Sequence, residues 1–426
     1  MKRFMKKIDN KFSAIVLVLL LALISESFLL MYQPRLTLVD TKTANLQKLA
    51  DLVEKNCLTS SWKPACYDQE VPKLMPRISM EDAFKVVKLI QNQDQRYIYC
   101  HVVAHKLSFQ EAAKNRDAWK DVITRCPTSF CNNGCLHGAL MERFNNEVLT
   151  DAQIALIKSD LADVCEPRGQ WHPVEMERSM CYHGLGHMYM FITDANLAKS
   201  LALCEFTGKK EDGRNYIQTC SQGVFMILYQ PLEPEDSALV KNIAPKNKAE
   251  RDKLCKPYSG LYWQSCMVES WPLFRDKVMV RYNNDLNANP KELASACSYA
   301  KNSEVELNCY QTWFSILAVE LLIDHEDPKN EFHKYFQMCS DLPSSIKEQC
   351  FTFGAFRLVQ IDPIAYYQKA LKLCEAAASY GFDKPCYERL IQVSTYFYSR
   401  GTPQFTEYCQ GFPVSWREQC LDVRHN

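Results

Sequence analysis

Twenty cysteines recur along the 426-residue chain at a spacing that leaves few folds open to it. Seven of them, Cys181, Cys220, Cys266, Cys309, Cys350, Cys386 and Cys420, follow one another at steps of 34 to 46 residues. That is the period of architectures built from repeated helix pairs. Each has a partner 11 to 16 residues upstream: Cys165 with Cys181, Cys204 with Cys220, Cys255 with Cys266, Cys297 with Cys309, Cys339 with Cys350, Cys374 with Cys386, and Cys409 with Cys420. The upstream cysteine closes a helical pattern, as in Leu201-Ala202-Leu203-Cys204, and the downstream one opens another, as in Cys309-Tyr-Gln-Thr-Trp-Phe. A disulfide then staples each helical hairpin across its loop, a closure worth ~3 kcal/mol for a loop of about 15 residues. Structural zinc would ask for four ligands, usually at C-x₂₋₄-C spacing, and these pairs are too far apart for it.

Six cysteines remain. Cys57 and Cys66 follow the helical stretch Leu46 to Val53 and close an N-terminal cap, and Cys126 and Cys135 fit the hairpin rule. Cys100 and Cys131 are left, and their pairing would tie two neighbouring units together. Glycine numbers 13 of 426, less than half its usual ~7% share, which disfavours a fold rich in tight β turns. A single hairpin cannot bury its apolar face, so hairpins stack. The expectation is an all-α chain, a right-handed α/α solenoid of about nine disulfide-stapled hairpins behind one N-terminal transmembrane helix. The alternative is an irregular α fold with unrelated disulfides.

Lys2, Arg3, Lys6, Lys7 and Lys11 precede a largely apolar run from Phe12 to Ile24, and after Ser25-Glu26-Ser27 apolar character resumes to Tyr32. A basic flank before an apolar core is an export signal, with the basic side cytoplasmic. Residues 12–32 just span a ~30 Å hydrocarbon core as a helix. Cleavage after Ser27 is the competing reading, since Ser25 and Ser27 are small residues at the required spacing. Either way the remainder is exported, in keeping with cysteines that pair stably only in an oxidising compartment. The chain lacks any Asn-x-Ser/Thr sequon, which points to a bacterial periplasm or cell surface. The organisation expected is a basic cytoplasmic stub over 1–11, a signal-anchor over 12–32 and a cap over 33–80. Histidine-bearing repeats follow over 81–235, and histidine-poor repeats over 236–426.

Fifty basic and fifty acidic side chains balance, so the electrostatic footprint of a nucleic-acid binder is missing. No G-x-S-x-G elbow, P-loop or H-E-x-x-H motif occurs, which removes the usual signs of serine hydrolases, nucleotide enzymes and zincins.

Five of nine histidines fall just after the cysteines that open the second helices. Cys135-Leu-His137-Gly138-Ala-Leu-Met141 and Cys181-Tyr-His183-Gly184-Leu-Gly-His187 share a frame with Cys220-Ser-Gln222-Gly223-Val-Phe-Met226, and Cys100-His101-Val-Val-Ala-His105 joins them with its cysteine displaced by one. Seven-residue windows at these starts cover roughly 15% of the chain, so random placement would put one or two histidines there, not five. The i, i+4 spacing sets each pair on one helix face, and equivalent positions on neighbouring helices line one seam. The recurring glycines Gly138, Gly184 and Gly223 let adjacent helices approach closely. Imidazole is the commonest transition-metal ligand near neutral pH, and thioethers suit softer ions. A zinc, copper or iron site on His101, His105, His137, His183 and His187, with Met141 and Met226 in equivalent slots, is therefore the leading expectation.

Two readings compete with the metal site: a metal-free polar seam inside an interaction scaffold, and an acid/base or ligand site without metal. A metal-dependent extracytoplasmic enzyme is a further variant. Expected partners are the membrane, through the N-terminal helix, and a protein on the solenoid surface. Glu142 is expected to be solvated, and His172, His325, His333 and His425 to lie on the surface. Tyr310, Trp313, Phe314, Phe351 and Phe353 stand at helical spacing, where aromatics are core.

Overall fold

The computed structural model describes residues 41–423 apart from 95–96, 98–99, 128–129, 145–146, 170, 283–284, 301–302 and 325–331. The basic stub, the 12–32 anchor, His325 and His425 lie outside the described residues. Among the described residues no helix is long and apolar enough to cross a membrane. The chain groups as two units, Met1–Leu49 and Ala50–Asn426, and the histidines belong to the second.

The described chain is mainly helical, and sixteen of the cysteines pair as their spacing predicts, while the four whose pairing spacing left open resolve as Cys100–Cys131 and Cys126–Cys135. Helices α1 (Thr41–Asn56) and α2 (Lys63–Glu70) are joined by Cys57–Cys66. Next come α3 (Met80–Gln93) and α4 (His101–Ala113), then α5 (Trp119–Thr124) and α6 (Gly134–Phe144), the last two stapled by Cys126–Cys135. Cys165–Cys181 staples α7 (Asp151–Asp163) to α8 (Glu175–Ile192), and Cys204–Cys220 staples α9 (Leu197–Gly208) to α10 (Ile217–Tyr229). After the short α11 (Pro234–Val240), Cys255–Cys266 joins α12 (Lys248–Cys255) to α13 (Gly260–Glu269). Cys297–Cys309 then joins α14 (Pro290–Ala296) to α15 (Ser303–Val319). Helices α16 (His333–Ser340) and α17 (Ser344–Ile361) share Cys339–Cys350. Helices α18 (Tyr367–Ala376) and α19 (Asp383–Gln392) share Cys374–Cys386, and α20 (Pro403–Gly411) and α21 (Val414–Leu421) share Cys409–Cys420. Cys100 and Cys131 form the remaining bridge, leaving no free thiol.

Local chemistry explains the boundaries. Thr150 accepts from the Gln153 N–H while the Gln153 side chain reaches back to Thr150, a reciprocal cap that starts α7. Ser79, Asn196 and Thr402 cap α3, α9 and α20 through their side-chain oxygens. Along α3 the residues Met80, Ala83, Phe84, Val87 and Ile90 are buried, a stripe at helical spacing that faces the interior.

The second helices of the hairpins pack in one row, α4 on α6, α6 on α8, α8 on α10, and onward through α13, α15, α17, α19 and α21. Helix α8 is buried nearly all round, with Met176, Cys181, Tyr182, Leu185, Met188, Tyr189 and Ile192 shielded, as a central helix must be. The glycine expectation is met. A Cβ on Gly138 would stand 2.1 Å from the His105 carbonyl, and one on Gly223 2.0 Å from that of His183, so only the hydrogen side chain permits these spacings.

In two respects the structure departs from an open solenoid read from sequence. Repeats of a linear solenoid touch only their neighbours, yet here the row returns on itself. The turn Ser394–Phe397 packs on α8, α17 packs against Cys131–Asn133, and the Lys88 ammonium pairs with Asp362 at 3.0 Å. Met176 is part of the large apolar core shared by the later hairpins, with Val174 and Met180 packed against it. The chain also includes an antiparallel hairpin, β1 (Met279–Tyr282) with β2 (Asp285–Ala288), in register Met279 to Ala288. Tyr310, Trp313, Phe314, Phe351 and Phe353 are core residues, and His172 and His333 are exposed.

Candidate metal centre

Five imidazoles converge between α4, α6 and α8. His101 and His105 lie one turn apart on α4, with Nε2 atoms 3.1 Å from each other. His183 and His187 repeat this on α8 at 3.0 Å. His137 on α6 stands between the pairs, its ring centroid 5.1 and 5.3 Å from those of His101 and His105, and 5.7 and 5.3 Å from those of His183 and His187. The i, i+4 geometry and the stacking of consecutive helices bring these residues together, as their sequence phase implies.

His101, His105 and His137 offer ligand atoms that all lie within 4.8 Å of one another. Tetrahedral bonds of ~2.0–2.1 Å would place two nitrogens ~3.3 Å apart, close to the separation within each pair. His137 Nε2 lies 2.9 Å from the Met180 carbonyl and donates to it. That fixes the tautomer and leaves Nδ1 as the lone-pair atom, buried and without a hydrogen-bond partner. A ligating histidine is oriented in the same way, its other nitrogen donating to a carbonyl. Gly184 makes the placement possible, since a Cβ there would meet His137 Cδ2 at 2.5 Å.

Backbone carbonyls hold other rings. His101 Nδ1 lies 3.3 Å from the Cys131 carbonyl. Cys131 and Asn133 adopt left-handed backbone, φ 51° and 56°, in the segment that the Cys100–Cys131 bridge ties to the start of α4. The Thr219 carbonyl bonds the His183 ring. Main-chain acceptors leave no trace in residue identity, so the three orienting groups were invisible to sequence reasoning.

Burial first, and neighbouring imidazoles second, hold His105, His137 and His187 well below the ordinary imidazole range and pull His183 down to about 4. The rings are therefore neutral at neutral pH, the state in which imidazole binds metal.

The two methionines fare differently. Met226 on α10 brings its sulfur 3.2 Å from His183 Nε2. Met141 lines a cavity of about 360 Å³ with His105, Phe109, Phe191, Glu233 and Glu235. The Lys106 ammonium shares this lining with the two carboxylates, and nothing in the sequence links residues 233 and 235 to α4. Glu142 is buried, contrary to the solvated position expected for it, and pairs with Arg116 at 3.1 Å. It points off the histidine face, as its spacing from His137 requires, but the first turns ahead of α5 cover it. The chain matches no known family model, and no curated protein and no solved structure is similar to it.

Proposed function

We propose that this chain is a membrane-anchored extracytoplasmic protein whose stapled helical hairpins enclose a transition-metal centre on His101, His105 and His137. The observation that carries the reading is three imidazoles whose ligand atoms all lie within 4.8 Å of one another, with the buried His137 Nδ1 left unbonded. An orphaned buried acceptor costs about 1–3 kcal/mol, which a metal bond would offset. Three imidazoles suit zinc, copper or iron, and the cavity beside His105 leaves room for a fourth ligand such as water. Ten disulfides fit an oxidising compartment. The basic flank ahead of residues 12–32 supports the anchor.

One observation favours a second reading, a metal-free polar seam within an interaction scaffold. At 3.1 and 3.0 Å, each histidine pair can share one N–H between its Nε2 atoms, so the rings can satisfy one another as interior packing. Elemental analysis of exported, fully oxidised protein separates the two. Metal should copurify in a whole-number ratio and be lost in a His101→Gln/His105→Gln/His137→Gln variant with unchanged circular dichroism. Metal at the same trace level in both proteins would establish the seam instead.

A further inference from the structure

We propose that His183, His187 and Met226 form a second metal site, distinct from the first in its donors and selective for a soft monovalent ion, Cu(I). Deepening the metal-centre reading, it stands on a different donor set. Met226 Sδ and His187 Nε2 both approach His183 Nε2, at 3.2 and 3.0 Å. Two ligands at ~2.0 and ~2.3 Å from one ion sit at comparable separations. Helix α8 supplies both nitrogens and α10 the sulfur, and the Cβ-free Gly223 brings these helices into contact. The Thr219 carbonyl orients the His183 ring from outside, as a second shell does for a ligating histidine.

The donor set decides the ion. A thioether is a poor partner for zinc or another hard dication and a good one for Cu(I). Charge argues the same way. His187 is 2% exposed and the rings beside it are the imidazoles of His137 and His183, so the bound ion would keep its full charge in a buried place. The cost of burying charge rises steeply with its magnitude, and a monovalent ion suffers far less than a divalent one. The first site differs in its donors, which are three imidazole nitrogens.

The test uses the oxidised full-length protein in detergent, loaded anaerobically with Cu(I) under ascorbate, since thiol reductants would attack the disulfides. Copper X-ray absorption should show a sulfur shell near ~2.3 Å. Met226→Leu, close to Met in volume and shape, should remove that shell and weaken Cu(I) binding at least about tenfold in competition with a chromogenic chelator. His101→Gln/His105→Gln/His137→Gln should leave the sulfur shell intact. Ag(I), which needs no reductant, should bind with the same dependence on Met226. Copper bound without a sulfur shell, and unchanged by Met226→Leu, would overturn the second site while leaving the first standing. Loss of the sulfur shell in the triple-glutamine variant would show one shared centre and also overturn it. A protein that takes up neither zinc nor copper would overturn both.

Discussion

At the scale of single residues, burial sets what each ionisable group can do. His137 is 2% exposed, and its two nitrogens have separate tasks because one is taken by the Met180 carbonyl. Glu269 is a contrasting case. It keeps some contact with solvent, yet its surroundings raise it to about 8 by desolvation, with the Gln230 amide, 2.8 Å away, pulling the other way. Its folded value lies above the unfolded one near ~4.3, so the folded state binds the extra proton between about pH 4 and 8. The stability it contributes is full below the unfolded value and is lost as pH rises through the folded one. Thermal melts of wild type should therefore fall across pH 5 to 8 by more than those of Glu269→Gln, whose profile should be flatter by a few degrees over this window. Parallel profiles would show that the carboxyl is ionised throughout. The convergence of the five histidines, and the approach of Met226 to His183, were legible from their shared phase. Glu142 was misread, because shielding by Arg116 depends on a loop position that spacing does not encode.

At the scale of elements, the hairpin staple is local and therefore readable. Cysteines 11 to 16 apart that end one helix and start the next have few other geometries open to them. Cys204–Cys220 closes a 16-residue separation between α9 and α10, and α10 carries Met226. Replacing both cysteines by serine should cost about 3 kcal/mol on the loop-entropy scale, seen as a lower midpoint in non-reducing urea unfolding. A loss below about 0.5 kcal/mol would mean that packing alone sets the hairpin. The hairpin β1–β2 escaped notice for the opposite reason. Four-residue strands are too short for alternation to register against the helical pattern around them.

At the scale of the whole second unit, the return contacts are what a linear repeat would lack. Asp362 is 7% exposed and accepts from Lys88, 274 positions away, and from the Ile364 and Ala365 amides. Lys88→Met should cost less than about 1 kcal/mol, because the ammonium is partly exposed. Asp362→Ala should cost about 1–3 kcal/mol, because it also orphans two amides. Guanidinium midpoints measured side by side would check the order, and equal losses would show that the ion pair itself supplies the contact.

Residue order along this chain determined the helix class, eight of the ten disulfides and the common phase of the histidines, and left open the pairing among Cys100, Cys126, Cys131 and Cys135. Each of these follows from interactions within some forty residues, where spacing constrains geometry directly. Tertiary structure alone decided that the later hairpins fold back onto α8, that carbonyls of Met180, Cys131 and Thr219 aim the rings, and that two carboxylates line the cavity beside His105. Those arrangements join residues far apart through backbone atoms and packing, and such contacts leave no pattern in the residues that make them.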